Sequence, residues 1–203
     1  MKQKKNKNLV TFRIEYECES SLRDIIQQYN SVLKYTYNRL KENPELSTKE
    51  LTIKQQGINH CDLIGSHLKN SAIYESKALI NKNGDKSIIF GGKKLFIERC
   101  QKKVTKEEFK EKRLVPLCSV GEACRKANRL FQIQENNVVL FKLNKFQHFE
   151  LKLKNVGKKR EKELKQLLEL QNNKSIPITY KLDLNYIHIT FDYNALTFYI
   201  YIK

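Results

Sequence analysis

The chain has 203 residues, with 39 Lys and Arg against 22 Asp and Glu, a formal net charge of +17. Hydrophobic residues make up 40%, including 10 Tyr and 10 Phe. That is too apolar for a disordered polycation, and the length allows one large domain or two small ones with a sizeable core. No apolar run approaches the roughly 18 residues of a membrane span. The N-terminal MKQKKNKN is charged and has no apolar segment after it, so neither a signal peptide nor a membrane partner is expected. The five cysteines are an odd number without a close Cys-x-x-Cys pair, which argues against a disulfide framework or a zinc ribbon. The expectation is a folded cytoplasmic protein with a polyanionic partner, most often nucleic acid.

The charge is uneven. Residues 1–17 carry a net +3, residues 18–83 a net +2 and residues 84–203 a net +12. Within the last segment, residues 86–129 hold 13 basic against 5 acidic side chains. A charge that serves solubility has no reason to concentrate in this way, whereas a phosphate-facing surface does.

In chain order, residues 9–17 alternate, with Val10, Phe12, Ile14 and Tyr16 on one side, as in a half-buried strand. From Ser21 the apolar residues Leu22, Ile25, Ile26, Tyr29, Leu33, Tyr37 and Leu40 fall at helical spacing, and Asn43-Pro44 ends that helix. Ser47 with Glu50 forms a capping box for a second helix. A third places Cys61, Ile64, Leu68, Ala72 and Leu79 on one face and stops at Asn81-Lys-Asn-Gly84. After Gly84 a strand-like pattern returns at Ile88 to Phe90, Leu95 and Ile97, then in short apolar runs at 114–117 and 130–133. Asn136-Asn137 reads as a hairpin turn before residues 138–143. Phe149, Leu151 and Leu153 alternate, and residues 157–172 form one more helix, opened by the basic run Lys158-Lys159-Arg160. Three alternating segments close the chain, around 176–182, 187–191 and 196–202. Pro116 and Pro177 belong at strand starts or edges, because proline cannot donate to a ladder.

The fold class expected is α+β, an antiparallel β-barrel split by a helical insertion of about three helices. Residues 1–19 supply the first strand, residues 20–83 the insertion, and residues 84–203 the basic remainder of the barrel with one late helix. Closure into a barrel hides sheet edges.

No catalytic residue, metal site or cofactor is expected. The five aspartates form no metal-binding sequence, and Asp192 at a strand end reads better as a turn residue than as a ligand. His60 and His67 are two helical turns apart, too far to share an ion. The glycines of FGGKK at 90–94 either let a backbone approach phosphate closely or make a simple turn. In residues 119–133, SVGEACRKANRLFQI, Arg125 and Arg129 are four apart, with Lys126 beside them and Asn128 between. On a helix or a tight turn this gathers guanidinium forks suited to phosphate. With Lys93, Lys94, Arg99, Lys102, Lys103 and Arg113 they form the candidate RNA-binding set. Tyr29 and Tyr37 lie on the apolar helix face and are expected in the core, whereas Tyr35 is off that face.

YNSVLKYTYNRL at 29–40, SAIYESKAL at 71–79, IIFGGKKLFIERC at 88–100, SVGEACRKANRLFQI and the closing YIHITFDY at 186–193 resemble the N-terminal half of TnpB. TnpB is the transposon-encoded RNA-guided nuclease, and its relatives include the type V CRISPR effectors. The resemblance spans nearly the whole chain through loose motifs, none of them a catalytic signature. It implies that the barrel is an OB-like wedge domain and the helical insertion a recognition lobe. Both would grip a guide RNA and its RNA–DNA duplex by backbone shape. The family's RuvC nuclease domain follows a strand like 186–193, and no residue here matches its catalytic acids or zinc-binding cysteines. The function implied is RNA binding without cleavage, by an inhibitor or decoy of a CRISPR effector or by a regulator, in a bacterial or phage-infected cell. The alternatives are the RNA-binding part of a split nuclease whose catalytic subunit is separate, and an inhibitor that touches an effector protein without RNA.

Overall fold

The computed structural model describes residues 8–17, 19–55, 62–84, 86–125, 127–144, 146–173 and 176–194. It is α+β with antiparallel sheets, and the chain divides into two compact units. One unit joins residues 1–18 to residues 118–203, and the other is residues 19–117.

The helical unit is built on α1 (Ser20–Glu42), α2 (Thr48–Gln55) and α3 (Ser66–Asn83). The i, i+3, i+4 spacing of Leu22, Ile25, Ile26, Tyr29, Leu33, Tyr37 and Leu40 buries one face of α1, including both tyrosines. Small residues let α3 approach. Ala72 is buried, and the buried Ser76 hydroxyl, at 2.9 Å from Leu33 O of α1 and 2.7 Å from Ala72 O, is shared between the two carbonyls. The capping box before α2 is formed, since Ser47 Oγ accepts from Glu50 N and Glu50 Oε2 accepts from Ser47 N at 2.8 Å. Asn43 is extended at the end of α1, and Gly84 at φ 54° ends α3.

Beyond Gly84 the structure departs from the expected strands. Residues 92–100 form α4 (Gly92–Cys100), and α5 (Lys106–Lys112) follows behind a second capping box, Thr105 with Glu108. The period-2 signal at Leu95 and Ile97 was too short to outweigh helix-forming Lys, Leu, Glu and Arg neighbours. Gly91 opens α4 at φ 87°, and a Cβ there would lie 2.9 Å from Arg113 Cβ and 3.1 Å from its Cα. The glycine thus serves a close approach of the chain to itself. The helical unit therefore runs to Leu117, past the expected limit at residue 83.

The other unit holds a four-stranded sheet in the order β1 (Leu9–Glu15), β7 (Tyr186–Asp192), β6 (Thr179–Leu182), β2 (Leu117–Ser119). A three-stranded sheet runs β3 (Phe131–Ile133), β4 (Val138–Lys142), β5 (His148–Lys152). The first strand does return to the late ones, antiparallel to β7 with Phe12 opposite Ile189. Asn136 and Asn137, both at φ 57°, turn β3 into β4. The expected strand around 196–202 lies outside the described residues.

No ladder closes the two sheets into a barrel among the described residues. At one seam a single bridge, Tyr16 with Leu153, joins the ends of β1 and β5. At the other, the chain between β2 and β3 makes a 3₁₀ turn (Ala123–Arg125) and passes through Ala127 at φ 69°. The turn and the positive φ interrupt the extended backbone there. The buried side chain of Asn128 joins the segments instead. Its Oδ1 accepts from Ser119 Oγ (2.9 Å), Leu130 N (2.9 Å) and Phe131 N (3.0 Å), and its Nδ2 donates to Ser119 O (3.1 Å) and Ile178 O (2.9 Å). Gly121 lies so close that a Cβ would meet Ile178 N at 2.4 Å. Phe131 stacks on its ladder partner Phe141 (4.6 Å) and, from the other sheet, on Tyr180 (5.0 Å). The last helix, α6 (Lys158–Asn172), covers the edge of β3: Gln171 Nε2 donates to Ile133 O at 3.0 Å and its Oε1 accepts from Ile133 N at 2.8 Å.

Replacing Asn128 by Asp removes both donors and sets a carboxylate against two carbonyl oxygens. Asn128→Asp and Asn128→Ala are expected to lower stability by about 3 kcal/mol or more. Urea unfolding checks this: a midpoint within error of wild type in both variants would show that the amide does not hold the seam.

Candidate nucleic-acid interface

The eight described candidate cations do not all belong to one unit. Six of them, Lys93, Lys94, Arg99, Lys102, Lys103 and Arg113, belong to the helical unit, in the α4–α5 hairpin and its end. Arg125 and Arg129 belong to the other unit, and Lys126 lies outside the described residues. With the boundary at Leu117, the helical unit holds 19 basic against 12 acidic residues, a net +7, and the other unit a net +10. The excess charge is thus shared, not confined to the β unit.

In the hairpin, Lys93, Lys94, Lys102 and Lys103 are exposed, with Lys106 and Lys110 beside them. Lys94 meets Glu98 only at 4.0 Å. Arg99 is turned inward, donating to Val104 O at 3.2 Å, which ties the loop to α4. Arg113 is half-buried, with its guanidinium 5.4 Å from the Phe109 ring. It stands near Lys34 of α1, whose pKa is lowered to about 8, first by burial and then by the repulsion of Arg113.

Arg125 and Arg129 do not lie on a helical face, because only one 3₁₀ turn separates β2 from the left-handed Ala127. Arg125 is exposed, whereas Arg129 is half-buried with Glu122 at 3.8 Å. Asn128, between them, points into the core. Tyr35 is half-buried under Arg39, 5.5 Å from its ring. Asp192 accepts from Asn194 N at 3.1 Å, as a turn residue does.

A cleft of about 410 Å³ in the β unit escaped sequence reading. It is lined by Arg13, Glu15, Lys154, Asn155, Arg160 and Tyr186. The guanidinium of Arg13 lies 3.7 Å from the centre of the Tyr186 ring, and that of Arg160 lies 3.5 Å from the centre of the buried Phe12 ring. Tyr186 Oη donates to Glu15 Oε1 at 3.1 Å. The start of α6 borders this cleft behind Gly157, with no side-chain cap and with Lys158 and Lys159 exposed in its first turn. Cations at the positive end of a helix are disfavoured by its dipole. Such a placement lowers local stability while raising the potential that an anion meets. The only sequence signal was the run Lys158-Lys159-Arg160. Arg13 and Tyr186 are 173 positions apart and meet through the β1–β7 register, in which Glu15 is paired with Tyr186.

Among the described residues, no group of three or more His, Cys, Asp or Glu could hold a metal ion, and no helix is long and apolar enough to cross a membrane. No protein-family model matches the chain, and no curated protein is significantly similar to it.

Two outcomes follow from these charges. Burial lowers the pKa of Lys34, so the unfolded state holds the proton more tightly and wild type gains stability as pH rises from about 8 toward 10.5. Lys34→Met, which carries no charge to bury, is expected to unfold at a higher temperature than wild type at pH 7, with the gap closing by pH 10. A gap that does not change with pH rules this out. Secondly, Lys158→Glu and Lys159→Glu are each expected to stabilise the protein by about 0.5 kcal/mol at low salt, through the helix dipole, while weakening its retention on a polyanion such as heparin. Tighter retention would remove the cleft from the interface.

Proposed function

We propose that this protein binds a structured, guide-like RNA and does not cut it, as a TnpB-like protein acting as an inhibitor or decoy of a CRISPR effector or as a regulator. The observation that carries the reading is that both units hold a large excess of cations, much of it on exposed lysines of the α4–α5 hairpin and around the cleft by Tyr186. A phosphate backbone crossing either surface would release its condensed counterions, which is the main source of affinity in nucleic-acid binding. The stacked Arg13–Tyr186 pair offers a guanidinium plane of the kind that unpaired bases stack on. We read the two sheets, joined by one bridge and one buried amide, as a partly open relative of an OB-like barrel, a fold that suits oligonucleotides. In this reading residues 20–83 with the α4–α5 hairpin play the part of a recognition lobe, and the partners are the RNA, an RNA–DNA duplex and a CRISPR effector.

The test is to purify the full chain at low salt, record its absorbance ratio, sequence the RNA it carries, and measure the affinity of that RNA across a salt series. Wild type is expected to retain RNA and to lose affinity steeply with salt. Lys102→Gln, Lys103→Gln and Arg125→Ala are each expected to weaken binding and make the salt slope shallower by about 0.7. Arg129→Ala is expected to do less, because Glu122 already shares its charge. An RNA-free preparation whose binding ignores salt overturns the reading.

A further inference from the structure

The side of α1 that faces the end of α5 carries cations without an acid to match them. A pocket of about 220 Å³ there is lined by Gln27, Ser31 and Lys34 of α1 and by Lys110 and Arg113, and no carboxylate is among its lining residues. The nearby Glu111 is engaged elsewhere, 2.9 Å from Arg23. The amide of Asn30 is also engaged, since it donates to Val115 O (2.8 Å) and Ile26 O (3.0 Å) and accepts from Val115 N (2.7 Å). Those bonds of the Asn30 side chain hold the segment after Arg113 against α1 and so fix the pocket walls. The Arg113 Nε is buried with no hydrogen-bond partner among the described residues. The ammonium of Lys34 lies 5.4 Å from the centre of the Phe90 ring. Two cations half-buried side by side repel one another in a medium that screens poorly. That arrangement is costly as it stands and becomes favourable once an anion enters.

We propose that the pocket formed by Lys34, Lys110 and Arg113 is a binding site for a phosphate group, held by two ammonium groups and one guanidinium. The guanidinium fork matches two oxygens of a tetrahedral anion, and Gln27 at the rim adds a neutral donor. The phosphate belongs either to the backbone of a bound RNA or to a small phosphorylated molecule. The chemistry recognised is the same in both cases, and the site does not depend on the RNA reading.

The experiment is thermal unfolding of the full chain at pH 7 in sodium phosphate and in sodium chloride of matched ionic strength. Phosphate is expected to raise the midpoint of wild type along a saturating curve, and Arg113→Gln is expected to abolish that rise. Lys34→Met is the second variant, because a flexible apolar side chain at this half-exposed position leaves the packing of α1 intact. A rise of equal size in wild type and Lys34→Met, or no rise in wild type over chloride, overturns the proposal. Affinity for a single-stranded RNA then identifies the source. A roughly ten-fold loss in Lys34→Met, alongside its loss of the phosphate effect, assigns the site to RNA phosphodiesters. Unchanged RNA affinity alongside the same loss assigns it to a small phosphate. Stabilisation by phosphate in a protein that binds no RNA supports the pocket and removes the RNA reading.

Discussion

One buried amide holds the β unit together. Where a barrel would continue its ladder from β2 to β3, the backbone turns through the left-handed Ala127, whose carbonyl accepts from Glu122 N and Ile178 N at 2.9 Å, and no ladder forms among the described residues. Asn128 takes over, with five hydrogen bonds that reach Ser119, Ile178, Leu130 and Phe131 from one side chain. Asparagine suits the position because its amide carries donors and an acceptor together, as a peptide unit does. The stack of Phe131 on Tyr180 follows from it, since Phe131 N is one of the groups that the amide positions.

The same device recurs. Gln171 pairs with both backbone groups of Ile133, and Asn30 with both of Val115. In each case a side-chain amide from a helix pairs with the N–H and C=O of one backbone residue, as a strand neighbour would. A buried backbone group without a partner costs about 1–3 kcal/mol, so these amides let strands end and segments dock without that loss. They also leave the surface free of structural duty. The exposed lysines of the hairpin contribute little to the fold, and Lys158 and Lys159 oppose it, whereas Arg13 and Arg160 of the cleft pack on the rings of Tyr186 and Phe12.

Much of the architecture was legible along the chain because it rests on local patterns. The apolar face of α1, the stop at Asn43-Pro44, the capping box at Ser47 and the Asn136-Asn137 turn each depend on residues a few positions apart. The α4–α5 hairpin was not read, since Leu95 and Ile97 alternate over too short a span to fix a strand; on the helix that forms, Leu95 is buried and Ile97 exposed. The candidate cations were recognisable as a class, but not in their roles. Arg99 and Lys94 sit on one helix, yet Arg99 is bound to a loop carbonyl while Lys94 faces solvent.

By itself, the sequence determined the charge, the mixed class of the fold and the ends of several helices, because composition, periodicity and caps are properties of short windows. Only the tertiary structure decided where the helical unit ends, that the first strand pairs with β7, that the described strands form two sheets, and that Arg13 meets Tyr186 and Lys34 stands near Arg113. Those facts depend on residues far apart in the chain. Burial, repulsion and an amide's choice of partner arise only when such distant residues are brought to within a few ångströms.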